Sequence, residues 1–218
     1  MNCCPREAYD AQFDDKHASK DVERFHKEGA DHTTRALIDA LRAAGVQGAT
    51  LLDIGGGIGV IHHELLDVGV TGATHVDVSA AYVRAARRDA VLHGHAERVR
   101  FVVGDFVALA REIPAADVVT LDRVICCYAD MEALVAASAS RAKRLYGAVF
   151  PRDRWFLKIA FAAENLFKRL TRCDFRTYVH PVRAIDAAIR RQGLEPRKQL
   201  KTFVWNVVVY ARTSTPAQ

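Results

Sequence analysis

The stretch LLDIGGGIGV, residues 51–60, decides how this chain is read. An apolar run carrying one acid leads into four glycines within five positions, and an amphipathic segment follows. Strand, glycine turn and helix in that order bring bare backbone against a ligand, because glycine accepts left-handed conformations and a close approach that a Cβ prevents. A phosphate-cradling loop needs a lysine and a hydroxyl residue after its last glycine, but Gly59 is followed by Val60 and Ile61. A dinucleotide fingerprint needs G-x-G-x-x-G. Counted from Gly55 its third glycine is Val60, and counted from Gly57 it is His62. Both registers disfavour a nicotinamide or flavin enzyme.

The pattern that fits is D-x-G-x-G-x-G, formed by Asp53, Gly55, Gly57 and Gly59, with Gly56 inside the turn. A carboxylate ahead of the glycines repels a pyrophosphate and welcomes an ammonium group, directly or through water. Two further acids follow at strand ends. Asp77, with Val78 beside it, stands where a carboxylate can take both hydroxyls of a ribose. Asp105 stands where it can accept an adenine amino group, with Phe106 flanking the ring. Single aspartates at such places often serve as turn formers or helix caps. Three of them along the carboxyl rim of one sheet, where ligands of open α/β folds bind, describe a ligand with a cationic amino-acid end, a ribose and a base. S-adenosylmethionine is such a ligand.

Outward from the glycine loop, strand and helix signals alternate. Asp31 is the expected cap of a helix over HTTRALIDALRAA that Gly45 ends. ATLLDI, ATHVDV, RVRFVVGD, ADVVTLDRVI and YGAVF read as strands. GVIHHELLDV, SAAYVRAARRDAVLH (capped by Ser79) and DMEALVAASASRAKRL read as the helices between them. Near-continuous apolar strands separated by helices predict a parallel sheet covered on both faces. After the helix PVRAIDAAIRRQG, the runs LEPRKQLKTF and VWNVVVYAR have no helix between them, so they must pair antiparallel. The expected fold is α/β: a Rossmann-like, seven-stranded, mostly parallel sheet with helices on both faces and an antiparallel last strand. Residues 1–30 read as an N-terminal helical arm or lid, 31–211 as the main domain with a helical insertion at about 152–180, and 212–218 as a tail.

The 218 residues carry a net charge of +5, divided unequally. Residues 1–140 sum to −7 and residues 141–218 to +12, so the C-terminal part presents a face for something anionic, or simply an arginine-rich solvated surface. The five cysteines, Cys3-Cys4, Cys126-Cys127 and Cys173, show neither a disulfide framework nor the two-to-four-residue spacing of paired zinc thiolates. No metal is expected from them. The N-terminus lacks the pattern of a signal peptide and no apolar run is long enough to span a bilayer, so a cytoplasmic location is expected.

With these residues in place, the chain resembles the class I S-adenosylmethionine-dependent methyltransferases over about residues 31–211. The resemblance implies that Asp53 and Gly55 to Gly57 meet the methionine end of the cofactor, Asp77 the ribose, and Asp105 with Phe106 the adenine. It further implies that LDRVICCYAD lies beside the transferable methyl group. Asp122 and Arg123 then touch the cofactor, and Cys126, Cys127 and Tyr128 border the acceptor pocket. LDRVICCY, FRTYVHP and VWNVVVYAR also resemble the group of magnesium-protoporphyrin O-methyltransferases. That group tends to carry His-Tyr-Pro where this chain has Cys127-Tyr128-Ala129, so no acid–base role transfers to Cys127.

The sequence does not name the acceptor. The N/D-P-P-aromatic tetrapeptide of base-methylating enzymes is absent, which disfavours nucleic acid as a partner. A small-molecule acceptor is expected, methylated on oxygen by in-line displacement, with a carboxylate among the candidates because it needs no general base. A phenol, alcohol or amine would need a proton handler, for which Tyr9, Tyr128 and His180 are the candidates. Arg176 is a candidate for an acidic substrate. The segment 152–172 carries Lys158, Asn165, Lys168, Arg169 and Arg172 toward one helical face and aromatic residues over much of the rest. It reads as a substrate lid, a dimer surface or a peripheral membrane contact. An RNA-modifying enzyme and a non-catalytic partner-binding protein on the same fold are the alternatives.

Overall fold

The computed structural model describes residues 9, 12–171 and 173–213, so the Cys3-Cys4 pair and all but the start of the 212–218 tail lie outside the described residues. Seven strands form one sheet: β1 (Thr50–Ile54), β2 (Gly72–Asp77), β3 (Val99–Val103), β4 (Ala116–Asp122), β5 (Ala142–Pro151), β6 (Leu194–Lys201) and β7 (Trp205–Arg212). Their order is β3-β2-β1-β4-β5-β7-β6. β1 to β5 run parallel, and β7 is antiparallel to both of its neighbours. This is the sheet the alternating strand and helix signals predicted.

The helices are α1 (Asp15–Glu28), α2 (His32–Ala43), α3 (Val60–Asp67), α4 (Ala80–Leu92), α5 (Phe106–Leu109), α6 (Met131–Ala139), α7 (Trp155–Leu170) and α8 (Val182–Arg190). Leu37, Ile38 and Leu41 of α2 and Ile61, Leu65 and Leu66 of α3 pack with Leu51, Val118, Val149 and Val207 on one face of the sheet. Leu134 and Val135 of α6 and Ile185 and Ile189 of α8 pack with Leu52, Ile54, Leu121, Phe150 and Tyr210 on the other. Both faces are therefore buried, and the central strands are mostly apolar on both sides, with Asp53, His75 and Thr120 as buried polar exceptions. Asp31 caps α2 by accepting from the backbone N–H of Thr33 and Thr34, and Ser79 caps α4 by accepting from that of Tyr82.

One boundary differs from expectation. The helix predicted to run to Leu145 ends at Ala139, and 142–145 opens β5 instead. The backbone turns back at Ser138 (Arg141 N–H to its carbonyl, 3.0 Å), and Ala142 enters register with Ala116. Arg212 Nε donates to the Ala142 carbonyl at 2.9 Å. The sheet thus captures a segment whose helix propensity would have extended α6.

The helical arm is tied to the body rather than hanging free. Ala18 of α1 is fully buried with Ile58, Tyr82 and Ala85, while Phe13, Val22 and Phe25 pack around them. Tyr82 donates to Asp21 at 2.7 Å, and Ser79 Oγ donates to the Phe13 carbonyl at 2.7 Å.

Gly147 in β5 sets how closely α2 approaches the sheet: an added Cβ would lie 2.8 Å from Leu37 Cδ1 and 3.4 Å from Leu41 Cδ1. Both leucines are completely buried, so the space cannot be found by rotating them into solvent. Gly147→Val is expected to destabilise the fold by about 1–3 kcal/mol through overpacking, seen as a lower urea midpoint with unchanged slope.

Candidate active site

The glycine turn is built by positive φ angles at Gly55 (61°), Gly57 (57°) and Gly59 (98°). At Gly55 a Cβ would meet Val124 Cγ2 at 2.3 Å, so the loop lies directly against the segment after β4. At Gly57 a Cβ would find nothing nearer than 3.8 Å, and its requirement is conformational. Here the turn opens onto space.

That space is a cavity of about 520 Å³ at the carboxyl ends of the parallel strands. Gly55, Gly57, Asp77, Val78, Asp105, Phe106, Asp122, Arg123, Cys126, Cys127, Tyr128 and Tyr9 all line it. Residues distant in sequence from one another are thus brought to one hollow. Asp77 holds the turn as well as facing the cavity: Oδ2 accepts from Gly57 N–H at 3.0 Å and Oδ1 from Ser79 N–H at 2.8 Å. Burial pushes its carboxyl up to about 6 against the lowering effect of those two N–H groups. Asp105 caps α5 through Val107 N–H (3.0 Å) and accepts from the Tyr128 hydroxyl at 3.1 Å.

Asp53 stands apart from that cavity. It is on the opposite side of β1 from Ile54, beside Thr120 of β4 and His75 of β2 in register. Its Oδ1 accepts from Thr120 Oγ1 at 2.7 Å, and its Oδ2 lies 3.7 Å from His62 Nδ1. With Gly56 it lines a smaller cavity of about 160 Å³ behind the turn, shared with Asp31, Thr34, Asp122 and Arg123. Burial raises the Asp53 carboxyl and lowers the His62 and His75 imidazoles to about 3, so the rings are neutral.

Arg123 links the two cavities. It adopts φ 59°, the one positive value outside glycine among the described residues. Its guanidinium meets Asp31 Oδ2 at 2.7 Å, Asp122 Oδ1 at 3.1 Å and Thr34 Oγ1 at 3.0 Å. Although burial opposes it, this guanidinium holds Asp31 down to about 2. A strained backbone so tightly held is the kind found where a site is pre-organised.

The rest of the cavity wall is largely apolar. Phe161 of α7, Phe175 and Trp205 join Cys126 and Cys127 there, and Glu164 and Lys168 stand among them. The hydrogen bond between Cys127 and Cys126 (Sγ to Sγ, 3.9 Å) and burial raise the Cys127 thiol well above its ordinary value, which favours the protonated thiol. Tyr9 donates to the Cys127 carbonyl at 2.8 Å. His180 contacts the Tyr128 carbonyl through Nε2 at 2.9 Å and does not line the cavity. Arg176 also stays out, its guanidinium bonded to the carbonyls of Cys173 and Phe175 (2.9 Å). Phe13, Tyr82, Phe175, Thr177 and Trp205 line the cavity without having been singled out. For the four aromatic ones the sequence signal was aromatic content in segments away from the glycine loop, and Thr177 carried none.

The cavity suits the sulfonium nucleoside expected from the sequence: a side-chain-free bend, a buried carboxylate on its floor, and an aromatic residue beside a second acid. The O-methyltransferase domain family model matches residues 3–149. No curated protein sequence matches the chain. Among solved structures, the magnesium protoporphyrin IX methyltransferase of Synechocystis PCC 6803 with bound SAH is similar at TM-score 0.69 and 19% identity, covering 91% of this chain and 97% of that one. An O-methyltransferase family protein from Burkholderia thailandensis is similar at TM-score 0.71 and 19% identity, over 95% of this chain and 63% of that one. By the match over two thirds of its length, this chain belongs to the O-methyltransferase domain family.

Proposed function

We propose that this enzyme transfers the methyl group of S-adenosylmethionine to an oxygen atom of a small apolar anion, with a carboxylate as the first candidate. The observation that carries the reading is that Gly55, Gly57, Asp77, Asp105 and Asp122 open onto one cavity whose remaining wall is mostly apolar, with Arg123, Glu164 and Lys168 among its few charged groups. When bound, the cofactor supplies a methyl group on a sulfonium, which is already a good leaving group. The chain's own work is then alignment and exclusion of water.

Each residue has a part in this. Asp77 would accept from the ribose hydroxyls with the lone pairs that Gly57 and Ser79 leave unused. Asp105 and Phe106 would hold the adenine, and Val78 would pack beside it. Asp53 would act on the ammonium group through water in the smaller cavity, which is polar and large enough to hold several molecules. Phe13 and Tyr9, carried by the arm, would roof the site.

The engagement of the proton handlers supports a carboxylate acceptor. Tyr128 is bonded to Asp105, Tyr9 to a carbonyl, and His180 to another carbonyl. Burial also lowers the His180 imidazole. An acceptor that arrives already ionised needs none of them. Lys168, a cation in the apolar part of the cavity wall, would face such an anion. Its Nζ stands 4.7 Å from the Phe175 ring centroid and 2.5 Å from Glu164, whose exposed carboxylate an acceptor would displace.

Calorimetry with S-adenosylmethionine, then transfer of its labelled methyl group to acidic small molecules, tests the proposal. Binding at micromolar concentration and a base-labile, methanol-releasing product are expected. Absence of binding at high micromolar concentration, or label found only in RNA, overturns it. Asp77→Ala is expected to weaken cofactor binding by about 1–3 kcal/mol through loss of the hydroxyl acceptor, whereas unchanged affinity would move the ribose elsewhere.

Acid should have a related effect. Asp77 titrates near 6 in the free protein, and only its ionised form accepts two hydroxyl protons. Cofactor affinity should therefore be flat above about pH 7 and fall toward tenfold per pH unit below 6, with Asp77→Asn removing that slope. Because this carboxyl is raised above its ordinary value, ionising it costs the unliganded fold stability, and the cost develops as pH rises from about 4 to 6. Thermal melts of the free protein across that range should show the loss, smaller in Asp77→Asn.

A further inference from the structure

Five polar side chains that line neither cavity meet where α1, α3 and α4 converge: His26, His63, Asp89, His93 and His95. Asp89 is 1% exposed, a carboxylate buried almost completely. Its Oδ1 lies 2.6 Å from His26 Nε2. Its Oδ2 has no hydrogen-bond partner, and two ring nitrogens, His63 Nε2 and His93 Nδ1, each stand 3.6 Å from it. His63 Nε2 is likewise buried and unpartnered. The His63 and His93 rings stack with centroids 4.4 Å apart and planes 16° apart.

His63 is also held from behind. Its Nδ1 lies 3.0 Å from His95 Nδ1, and His95 Nε2 lies 3.1 Å from Asp67 Oδ1. Its Nε2 faces the unpartnered Oδ2 of Asp89 across 3.6 Å. A buried carboxylate oxygen with no hydrogen bond is costly unless a cation joins it to its neighbours.

We infer that His26, His63, Asp89 and His93 form a binding site for a divalent transition metal ion of the zinc class. A tetrahedral ion with nitrogen and oxygen ligands at about 2.0–2.2 Å holds those ligands roughly 3.3–3.5 Å apart, close to the 3.6 Å edges here. His26, Asp89 and His93 already offer ligand atoms within 4.8 Å of one another. His93 would exchange its contact with the Asp89 carbonyl (Nδ1 to O, 3.0 Å) for the ion, its ring proton then residing on Nε2. The His95–Asp67 relay behind His63 is the outer support that orients ligating imidazoles. His26 and His93 are partly exposed, at 41% and 31%, and give the ion its way in. Three imidazoles and one carboxylate favour zinc-like ions over magnesium or calcium, which take oxygen ligands. The bound ion bridges three helices and fastens α1, the element that leads to Phe13 and Tyr9 over the active-site cavity.

Chelator-treated full-length protein titrated with zinc chloride in a calorimeter tests the site, with cobalt(II) as the spectroscopic probe. One zinc per chain at micromolar affinity or tighter is expected, along with visible cobalt d–d bands and no thiolate charge-transfer band in the near ultraviolet. His26→Ala, which alters a partly exposed side chain, should weaken binding by at least the roughly 10–100-fold that losing an outer support of a ligating group costs. His26→Ala combined with His93→Ala should abolish the zinc-induced rise in melting temperature while circular dichroism stays unchanged. Wild-type binding no tighter than millimolar, thiolate bands, or undiminished affinity in the double variant would each overturn the inference. The last of these would move the ion to another cluster, such as Asp53, His62 and His75.

Discussion

The left-handed bend at Gly55, Gly57 and Gly59 is the constraint from which the site follows. Steric exclusion makes it work: Val124 occupies the place of a Gly55 Cβ and the His62 ring that of a Gly59 Cβ. The bend turns the Gly57 N–H onto Asp77, so one carboxylate both secures the loop and stays open to the cavity. Without glycine at these positions the strand end could not lie against the segment after β4, and the rim would lose the contact that joins its two halves. The close approach and the bound carboxylate are one device.

Electrostatics then separates the acids by role. Asp77, Asp105 and Asp122 border the main cavity, whereas Asp53 is held behind the turn by Thr120 and neutral histidines. Arg123, in a conformation that a side-chain-bearing residue adopts at a cost, neutralises Asp31 and Asp122 together. Asp77 and Asp105 thus keep their carboxylates on the rim of the cavity, while aromatic, aliphatic and thiol side chains make up most of the wall beside them. The division of labour matches a reaction whose leaving group needs no help and whose main demand is geometry.

Enclosure comes from pieces far from the glycine loop. Phe13 meets Tyr82 and Phe175 edge to face, with centroids 5.6 and 5.3 Å apart, and Tyr9 meets Phe175 at 5.5 Å. Asn165 of α7 is stapled to Thr177, its Oδ1 accepting from the Thr177 N–H at 3.0 Å, which sets Phe161 and Lys168 against the cavity. The outer face of the same helix leaves Trp155, Ile159, Phe167 and Leu170 exposed. The mixture of basic and aromatic residues that made the segment ambiguous in sequence is thus divided between a cavity wall and an outer surface.

The sequence by itself determined the parts whose demands are local. Glycines that only a left-handed bend requires, caps such as Asp31 and Ser79, and apolar strands alternating with helices specify their own conformations. From these the sheet, its reversed last strand and the acids at its rim could be read. Tertiary structure alone decided the rest. A strand buried on both faces loses the alternation that would say which side Asp53 takes, so only pairing with Thr120 and His75 places it. The end of α6 depended on capture by β5, and Arg176 and His180 were drawn to backbone carbonyls that no spacing reveals. The meeting of His26, His63, Asp89 and His93 likewise exists only once three helices pack, because such side chains carry no sequence mark of a shared site until folding removes the water that separates them.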